Sequence, residues 1–410
     1  MAERVEIAVI GAGVIGLGCA YRLAQAGHDV ALIDPETPGA GASYGNAGTI
    51  ADYAVMPVGS PDVLRDLPRL LFDRNSPLSI RHAAILSLAP WLARFAWQSL
   101  PKATARNAAA IAALTADAAP LWQQLAAEIG GSQILQHRGA LYFYDSQKAF
   151  HSASADMAQR RKLGVSVDLV GPQDVAALEP GLPQTHGGAF FPNAVFMSDP
   201  AAMVACLASA TDRMGVPHLR HAITRLEPQA RHIRLTGPGL RLEAGRVVIA
   251  AGAHSKRLAR MAGDHIPLET ERGYHIEWDM PDARLSRPCC PTSRGFYLCP
   301  MAGRLRVAGT VELGGLSAPP SPHRLARLEQ GARAIFPDLG VPSRTWMGFR
   351  PSIPDSVPVI GPGRDPRVIH AYGHGHIGLT LAPATADLVA GLIAARPAPD
   401  RLGACRVTRF

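Results

Sequence analysis

The stretch "VEIAVIGAGVIGLGCAYRLAQAGHDVALID", residues 5–34, decides the fold. Its first six residues are mostly apolar and rich in β-branched types, which predicts a buried parallel strand. The run "LGCAYRLAQAGH" has a helical pattern, and "DVALID" is a second strand that ends at Asp34. These elements form a complete strand–helix–strand unit within about thirty residues.

Three glycines stand between the first strand and the helix. Gly11 permits a tight turn, Gly13 lets the backbone approach a pyrophosphate, and Gly16 allows close packing of helix on strand. The helix N-terminus offers free N–H groups and the positive end of its dipole to phosphates. An acid at the position of Asp34 takes up ribose hydroxyls. The unit predicts dinucleotide binding and argues against a 2′-phosphate, but it leaves FAD and NAD open.

Composition indicates a globular protein with a sizeable core. The chain has 410 residues, of which 47% are hydrophobic and 18% charged, enough for two or three domain-sized units. A net charge of +8 favours a carboxylate substrate, a phosphate cofactor, an acidic membrane surface or nucleic acid. Because arginine is spread along the chain without a long basic block, we expect no nucleic-acid partner.

Cysteine and histidine patterns give no metal signature. The six cysteines form no C-x-x-C pair, which suits free thiols in a reducing compartment. His374 and His376 stand two apart, but no further set of ligands with suitable spacing accompanies them. No signal peptide precedes the first strand, and no uncharged apolar run reaches the ~18 residues of a membrane span. We therefore expect no metal and a cytoplasmic location.

Further cofactor-type signals recur in the middle and at the C-terminal end. In "VVIAAGAHS" (247–255) a strand leads into Ala251 and Gly252, either a second backbone approach to the cofactor or an ordinary turn. Three segments between residues 275 and 310 alternate like antiparallel strands. We predict an α/β plus α+β fold, with a discontinuous Rossmann-like domain and an inserted substrate domain on a mixed or antiparallel sheet. The predicted cofactor domain comprises 1–80, 196–265 and 345–410, and the substrate domain 81–195 and 266–344.

The stretch "WMGFRPSIPDSVPVIG" (346–361) carries a candidate substrate ligand. Pro351 restricts the backbone of Arg350, and a guanidinium held in place suits a bidentate grip on a carboxylate. The alternative is a structural pair between Arg350 and Asp355. In "AYGHGHIGLT" (371–380) three glycines precede a helix, so backbone and helix N-terminus could press against a cofactor ring.

Taken together, these motifs resemble the FAD-dependent D-amino-acid oxidase superfamily, and within it bacterial D-amino-acid dehydrogenases and glycine oxidase. The Arg-Pro and Gly-His-Gly segments carry the resemblance most specifically, since the first glycine motif is shared by many flavoproteins. The matching segments stand in family order over nearly the whole chain: "AVIGAGVIGLGCAYRLAQAGHDVALID", "SYGNAG", "VVIAAGAHS", "FYLCPMAGRLRVAGT", "GFRPSIPDSVPVIG" and "AYGHGHIGLTLAPATADLVAGLI".

The resemblance implies FAD as the cofactor. A branch with covalent flavin, the sarcosine oxidases, has a cysteine just before the arginine region, where this chain reads "TWMGFRP"; we therefore expect non-covalent FAD. The implied cofactor-binding residues are Gly11, Gly13, Val14, Ile15, Gly16, Asp34, Pro35, Ala42, Ser43, Asn46, Ala47, Gly48, Thr49, Ile223, Ala251, Gly252, Gly361, His374, Gly375, His376, Ile377, Gly378, Leu379 and Thr380.

The resemblance also implies the substrate-binding residues. Arg350 matches the carboxylate-binding arginine, and Tyr297 matches the tyrosine whose hydroxyl joins it. Glycine oxidase has an arginine where His376 stands, so His376 bears on substrate preference. Tyr53 and Tyr274 are further pocket candidates, each as well explained as a packed tyrosine.

The implied activity is oxidative deamination of a D-amino acid, D-proline-like substrates included, to an imino acid and then a 2-oxo acid. Hydride passes from Cα to flavin N5, and the electrons pass to a quinone-type acceptor. One alternative is an oxygen-dependent oxidase of glycine or N-alkyl amino acids. Others are a tRNA-modifying flavoprotein, whose extra methyltransferase domain has no room here, and a non-catalytic flavin-binding subunit, which needs no carboxylate clamp.

A helix predicted over residues 79–100 has two interpretations. Ile85, Leu88, Trp91, Leu92 and Phe95 follow helical spacing, as in a helix packed on the substrate domain. The helix is also flanked by arginines and a lysine, so it would suit peripheral contact with the inner face of the membrane.

Overall fold

The computed structural model describes residues 3–66, 76 and 78–410. Its first ten strands are β1 Glu3–Ile10, β2 Val30–Ile33, β3 Thr49–Ile50, β4 Leu78–Ile80, β5 Leu135–Gln136, β6 Ala140–Phe143, β7 Asp168–Val170, β8 Gly188–Phe191, β9 Val195–Met197 and β10 His218–Leu219. The next ten are β11 Arg225–Pro228, β12 Ile233–Gly237, β13 Leu240–Ile249, β14 Glu269–Asp279, β15 Cys289–Pro291, β16 Phe296–Met301, β17 Arg304–Leu313, β18 Arg344–Ser352, β19 Val359–Pro362 and β20 Val368–Tyr372.

The α-helices of the described residues connect these strands or pack on them. They are α1 Val14–Gln25, α2 Pro61–Arg65, α3 Ile85–Gln98, α4 Pro101–Thr115, α5 Ala118–Ile129, α6 Gln147–Lys162, α7 Pro172–Leu178, α8 Pro200–Arg213, α9 Ser255–Met261, α10 Pro322–Arg333 and α11 Gly378–Ile393. Within the described ranges, no helix combines the length and the apolar character needed to cross a membrane.

The first sheet is the predicted dinucleotide-binding sheet. Its strand order is β10-β2-β1-β13-β12-β11, and β20 pairs with β13 and with β19. β1 lies parallel to β2 and β13, and β20 lies parallel to β13. The central strands are buried on both faces, which is why their sequences read as continuous apolar runs. Helices α1 and α11 pack together against this sheet.

The second sheet is mixed and largely antiparallel, as predicted for the substrate domain. Its order is β18-β14-β17-β16-β15-β6-β8-β7, and β4 pairs with β17. Only the β15–β6 and β4–β17 pairs are parallel. A short third sheet has the strand order β3-β9-β5, and its strand β3 follows the glycine turn in the chain. The two-part fold class predicted from the sequence is confirmed.

The exact domain boundaries stay a prediction. β18, which carries Arg350, is hydrogen-bonded to β14, and β4 is hydrogen-bonded to β17. We therefore propose that the substrate domain also includes these two strands, which the sequence assigned to the cofactor domain. Helices α4 and α5 follow each other closely, and Pro120 lies in the first turn of α5, where proline is tolerated.

Candidate functional site

The glycine turn is closed so tightly that side chains are excluded. Gly11 has φ +112°, and a Cβ there would lie 2.4 Å from the carbonyl oxygen of Ala250. A Cβ at Gly16 would lie 1.8 Å from the Gly11 carbonyl oxygen. The backbone amides of Ile15 and Gly16, in the first turn of α1, have no partner within the helix. This cradle fits the pyrophosphate of a dinucleotide.

Asp34 and Ser43 order the chain around this turn. The Asp34 carboxylate accepts hydrogen bonds from the amides of Ala12 at 2.7 Å and Glu36 at 2.9 Å. The Ser43 hydroxyl accepts from the amide of Val14 at 2.9 Å. Each carboxylate oxygen keeps a second lone pair, so Asp34 can still accept from ribose hydroxyls.

A cavity of about 1540 Å³ extends from the glycine turn to the second sheet. Its volume exceeds that of ordinary single-ligand pockets, and it is large enough for a dinucleotide and a small substrate together. Its wall includes most of the predicted cofactor-binding residues: Gly11, Gly13, Val14, Ile15, Asp34, Pro35, Ala42, Ser43, Asn46, Ala47, Thr49, Ile223, Ala251, Gly252, His374, Gly375, His376, Gly378 and Leu379.

A buried charged network holds the loop at residues 43–47 against the cavity. Arg306 Nη1 donates to the carbonyl of Asn46 at 2.7 Å, and its Nε donates to Glu277 at 2.7 Å. Burial alone would raise the pKa of Glu277, but the guanidinium of Arg306 lowers it. His275 Nδ1 lies 3.1 Å from the Gly45 carbonyl; burial and the charge of Arg306 lower the pKa of its imidazole to about 4. Sequence reasoning missed this network.

Arg350 lies flat across the cavity side of the second sheet. A Cβ at Gly273 would lie 2.5 Å from its Cζ, so only glycine leaves room for the guanidinium. Its Nη1 donates to the carbonyl of Thr310 at 3.0 Å. The alternative pair with Asp355 is wrong, because Asp355 instead accepts from Arg409 Nε at 2.9 Å.

The Arg350 guanidinium is left open to an incoming anion. No carboxylate of the described residues lies within 4.0 Å of it. Glu271 is its cross-strand partner, but burial raises the pKa of that carboxyl, and Ser352 Oγ donates to it at 2.6 Å. Burial lowers the pKa of Arg350 from its ordinary value, yet arginine keeps its proton in proteins.

Thr310, which sequence reasoning also missed, holds Arg350 through a strained backbone. Its φ is +57°, a left-handed conformation that β-branched residues rarely adopt. Its amide donates to the carbonyl of Gly295 at 3.1 Å, and its hydroxyl is buried without a partner among the described residues. In this conformation the Thr310 carbonyl accepts the hydrogen bond from Arg350 Nη1.

Tyr297 lies on the same face, one strand from Thr310. It pairs in register with Ala308, and its hydroxyl lies 2.8 Å from that of Tyr142. Burial raises the pKa of Tyr297 above its ordinary range and that of Tyr142 to about 12. Both hydroxyls therefore keep their protons at neutral pH and can donate. Tyr142 is a further cavity residue that sequence reasoning did not find.

The Gly-His-Gly segment lines the cavity and contacts the strand that carries Arg350. Gly375, with φ +54°, donates its amide to the carbonyl of Pro351 at 2.7 Å, beside Arg350. His374 is buried, and its Nε2 lies 2.9 Å from the Thr385 hydroxyl; burial lowers its pKa to about 3. His376 is exposed to the cavity, where enclosure by protein and the charge of Arg350 lower its pKa to about 4.

Two of the predicted substrate-site tyrosines do not line the cavity. Tyr274 is buried in the second sheet, and its hydroxyl donates to Glu312 at 2.6 Å, so it packs and pairs instead of facing substrate. Tyr53 is buried behind the wall, where its ring stacks on Phe191 with centroids 4.3 Å apart.

Several predicted cofactor residues also lie behind the cavity wall: Gly16, Gly48, Gly361, Ile377 and Thr380. Gly16 allows close packing, and Thr380 Oγ1 accepts from the Ala51 amide at 3.0 Å. Gly361 has φ +148° in β19, away from the cavity. These residues shape the surrounding backbone instead of forming the wall.

The cysteines of the chain lie away from the cavity wall. All six cysteines are free thiols, and none lines the cavity. Burial raises the pKa of five of them: Cys19, Cys289, Cys290, Cys299 and Cys405. No group of three potential metal ligands occurs among the described residues.

Comparison with known proteins agrees with this geometry. Residues 6–392 match the family described as FAD dependent oxidoreductase (DAO). The chain is 33% identical to a D-amino-acid oxidase of Bradyrhizobium diazoefficiens over all of both chains. It is 30% identical to D-amino acid dehydrogenase 2 of Ralstonia nicotianae, covering 95% of this chain and 97% of the relative. The crystal structure of glycine oxidase from Geobacillus kaustophilus shares the fold, with a TM-score of 0.79 at 23% identity over all of both chains. With FAD as its cofactor, the chain belongs to the DAO family of FAD-dependent oxidoreductases.

Proposed function

We propose that this protein oxidises D-amino acids to imino acids, which hydrolyse to 2-oxo acids and ammonia. Bound FAD would supply the acceptor for the hydride that leaves the substrate Cα, and the protein supplies binding and orientation. Relatives that share 30% identity or more, among them a D-amino-acid oxidase and a D-amino acid dehydrogenase, support the substrate class.

The position of Arg350 carries the proposal. Its guanidinium faces the cavity, is held by a backbone carbonyl, and has no carboxylate within 4.0 Å among the described residues. A guanidinium so placed binds a substrate carboxylate in two parallel hydrogen bonds. We assign Tyr297, whose hydroxyl stays protonated, as the further donor to that carboxylate.

The substrate amine must be neutral before it can lose a hydride from Cα. With its pKa near 4, His376 is a weak base and does not take a proton from an ammonium group efficiently at neutral pH. We therefore propose that water accepts the proton of the substrate amine. Neutral His376 positions the substrate as a hydrogen-bond partner beside Arg350. The amides at 375–380 and the N-terminus of α11 would stabilise negative charge on the reduced cofactor.

Non-covalent FAD is part of the proposal. The location of all six cysteines away from the cavity wall supports it. Precipitation of the protein with acid should release all yellow colour into the supernatant, whereas flavin that stays with the pellet would contradict non-covalent binding.

Replacement of Arg350 tests the function. We expect Arg350→Ala to retain FAD and to lose kcat/KM for D-alanine by at least about 100-fold, as expected for a lost bidentate ion pair. The matched control is Arg344→Ala on the same strand, because Arg344 is exposed and pairs with Asp279 at 2.6 Å. Kinetics of Arg350→Ala equal to those of Arg344→Ala would refute the assignment.

The same experiment separates the proposal from an oxidase of glycine or N-alkyl amino acids. Glycine and sarcosine are tested beside D-alanine and D-proline with the wild-type enzyme. The proposal expects larger kcat/KM values for the D-amino acids, and a preference for glycine or sarcosine would favour the oxidase.

We propose a quinone as the electron acceptor, and contact with an acidic membrane surface as its setting. An exposed apolar stripe on and just after α3 supports this: Leu86 is 89% and Trp97 69% exposed, and Leu100 is also exposed. The opposite face of α3 is buried through Leu88, Trp91 and Phe95.

Two measurements test these proposals. The reduced enzyme should be reoxidised faster by a soluble quinone than by air, and the opposite order would contradict the dehydrogenase assignment. The wild type should float with vesicles rich in anionic lipid, and Trp97→Ser should weaken that binding. Equal flotation of the two proteins would contradict the proposed membrane contact.

A further inference from the structure

The cavity contains a second guanidinium, which the function proposed above does not use. Arg160 of α6 lines the same cavity as Arg350, and its side chain is only 11% exposed. Its Nε donates to Asp156 at 3.2 Å, and its Nη1 donates to the carbonyl of Tyr53 at 2.7 Å. Its Nη2 has no hydrogen-bond partner among the described residues. The partner carboxylate is itself 45% exposed, so its neutralising effect is partly lost to solvent.

Two tyrosine hydroxyls lie near Arg160 in the cavity. The Tyr297 hydroxyl lies 2.8 Å from the Tyr142 hydroxyl, although the two residues stand on strands β16 and β6, with β15 between them. Strands so arranged are about 10 Å apart, so the two rings extend toward each other over β15. The positive charge of Arg160 is close enough to Tyr142 to lower the pKa of its hydroxyl, against the larger effect of burial.

The tyrosine cluster also contains an unpaired polar group. The Tyr53 hydroxyl is buried without a hydrogen-bond partner among the described residues, and its ring packs edge-on against Tyr142 with centroids 5.8 Å apart. Tyr53 lies behind the cavity wall, so the groups that face a ligand at this end of the cavity are the Arg160 guanidinium and the Tyr142 hydroxyl. This arrangement favours an acceptor-rich, anionic ligand group.

We propose that the substrate is an α-amino dicarboxylic acid, with its α-carboxylate on Arg350 and its side-chain carboxylate on Arg160 and the Tyr142 hydroxyl. On binding, the Tyr142 and Tyr297 hydroxyls exchange their mutual hydrogen bond for one to a carboxylate each. This proposal rests on the function proposed above and adds the class of side chain. An apolar substrate side chain would bury the free Nη2 of Arg160 without a hydrogen-bond acceptor, and burying an unpaired charged group costs free energy. A carboxylate gives that nitrogen and the hydroxyl a charge-assisted bond.

Kinetics of the FAD-loaded enzyme test the side-chain class. For the wild type, kcat/KM should be at least about 10-fold larger for D-glutamate or D-aspartate than for the matching amides, the effect expected of one charge-assisted hydrogen bond. In Arg160→Gln this ratio should fall to about one. Arg161→Gln, on the same helix, is the matched control, because Arg161 is exposed, does not line the cavity, and donates Nε to the Val167 carbonyl. It should keep the wild-type ratio.

A binding measurement that needs no turnover separates this proposal from the function on which it rests. Glutarate should bind the FAD-loaded wild type at least about 10-fold more tightly than butyrate, measured by calorimetry, and Arg160→Gln should lose the preference. If no amino acid reduces the flavin but glutarate is still preferred, the proposed function fails and the dicarboxylate site stands.

Two results would overturn the dicarboxylate site. One is a wild-type enzyme that does not distinguish D-glutamate from D-glutamine or glutarate from butyrate. The other is an Arg160→Gln variant with unchanged ratios. If Arg160→Gln does not fold, Tyr142→Phe replaces it, since it keeps the ring that packs against Tyr53 and Phe191. Tyr142→Phe should reduce the preference for glutarate, and an unchanged preference would likewise overturn the proposal.

Discussion

Replacing Gly273 by alanine should displace Arg350 without removing any charged group. The new Cβ would lie 2.5 Å from Arg350 Cζ and 2.6 Å from Nη2, whereas unbonded carbon atoms need about 3.5–4.0 Å. The guanidinium must therefore move by about 1 Å or more. Its hydrogen bond to the Thr310 carbonyl, now 3.0 Å long, would then exceed the useful range.

The expected loss follows from that displacement. A hydrogen bond to a charged group contributes about 1.5–3 kcal/mol, and about 1.4 kcal/mol corresponds to a factor of ten in rate. We therefore expect kcat/KM for D-alanine to fall roughly 10- to 150-fold in Gly273→Ala, with FAD content unchanged. Steady-state kinetics under saturating acceptor, together with flavin absorbance per protein, measure both quantities.

Two further variants make the result specific. Gly391→Ala is the matched control, because its Cβ would meet nothing within 4 Å, and it should keep wild-type kinetics. The double variant Gly273→Ala, Arg350→Ala should be no slower than Arg350→Ala alone, since both changes act through one side chain. A Gly273→Ala enzyme within about 3-fold of the wild type, or losses that simply add in the double variant, would refute the reasoning.

Three other predictions concern the cofactor turn, the second sheet and acid stability. Gly11→Ala should lose FAD because its Cβ meets a backbone carbonyl at 2.4 Å. Gly27→Ala, also at positive φ but with open space around it, should keep FAD. Equal flavin content in the two variants would contradict the role of the glycine turn in binding FAD. Tyr274→Phe should lower the free energy of unfolding by about 1–3 kcal/mol in urea titrations and leave kcat/KM unchanged. A lower kcat/KM would instead indicate that Tyr274 acts in the active site. His374 is neutral in the folded state, with a pKa near 3 against 6.5 unfolded, so its stabilising effect is complete above pH 6.5 and is lost as pH falls toward 3. The free energy of unfolding, from urea titrations between pH 6.5 and 4.5, should therefore depend less steeply on pH in His374→Asn than in the wild type, by up to about 1.4 kcal/mol per pH unit. The exposed control His151→Asn should keep the wild-type slope. Identical slopes in both variants would contradict a buried, neutral His374.

The parts of the site that were predictable from sequence depend on local patterns. The turn at Gly11 follows from strand, glycine and helix signals within one short stretch, and the close approach to Ala250 shows why glycine is needed. Arg350 was identified from its proline-rich neighbourhood. In both cases the residues that carry the signal are neighbours in the chain, so periodicity and turn chemistry were sufficient to identify them.

The parts that were missed depend on contacts between distant segments. Thr310 adopts a left-handed φ that its β-branched side chain disfavours, so no local rule predicts it. Arg160 reaches the cavity from a polar helix whose sequence gives no functional signal, and Tyr142 meets Tyr297 only because β6 and β16 share a sheet. For Tyr274, the sequence could not distinguish a cavity tyrosine from one paired with a buried carboxylate.

Anaerobic reduction of the flavin by paired enantiomers tests whether the enzyme oxidises D-amino acids. The purified FAD-loaded enzyme is mixed without oxygen with the D- and L-forms of alanine, proline, glutamate and aspartate, and the yellow absorbance is followed. We expect bleaching by the D-amino acids and persistent colour with their L-enantiomers. Bleaching by the L-forms, or by none of these amino acids, would contradict this expectation.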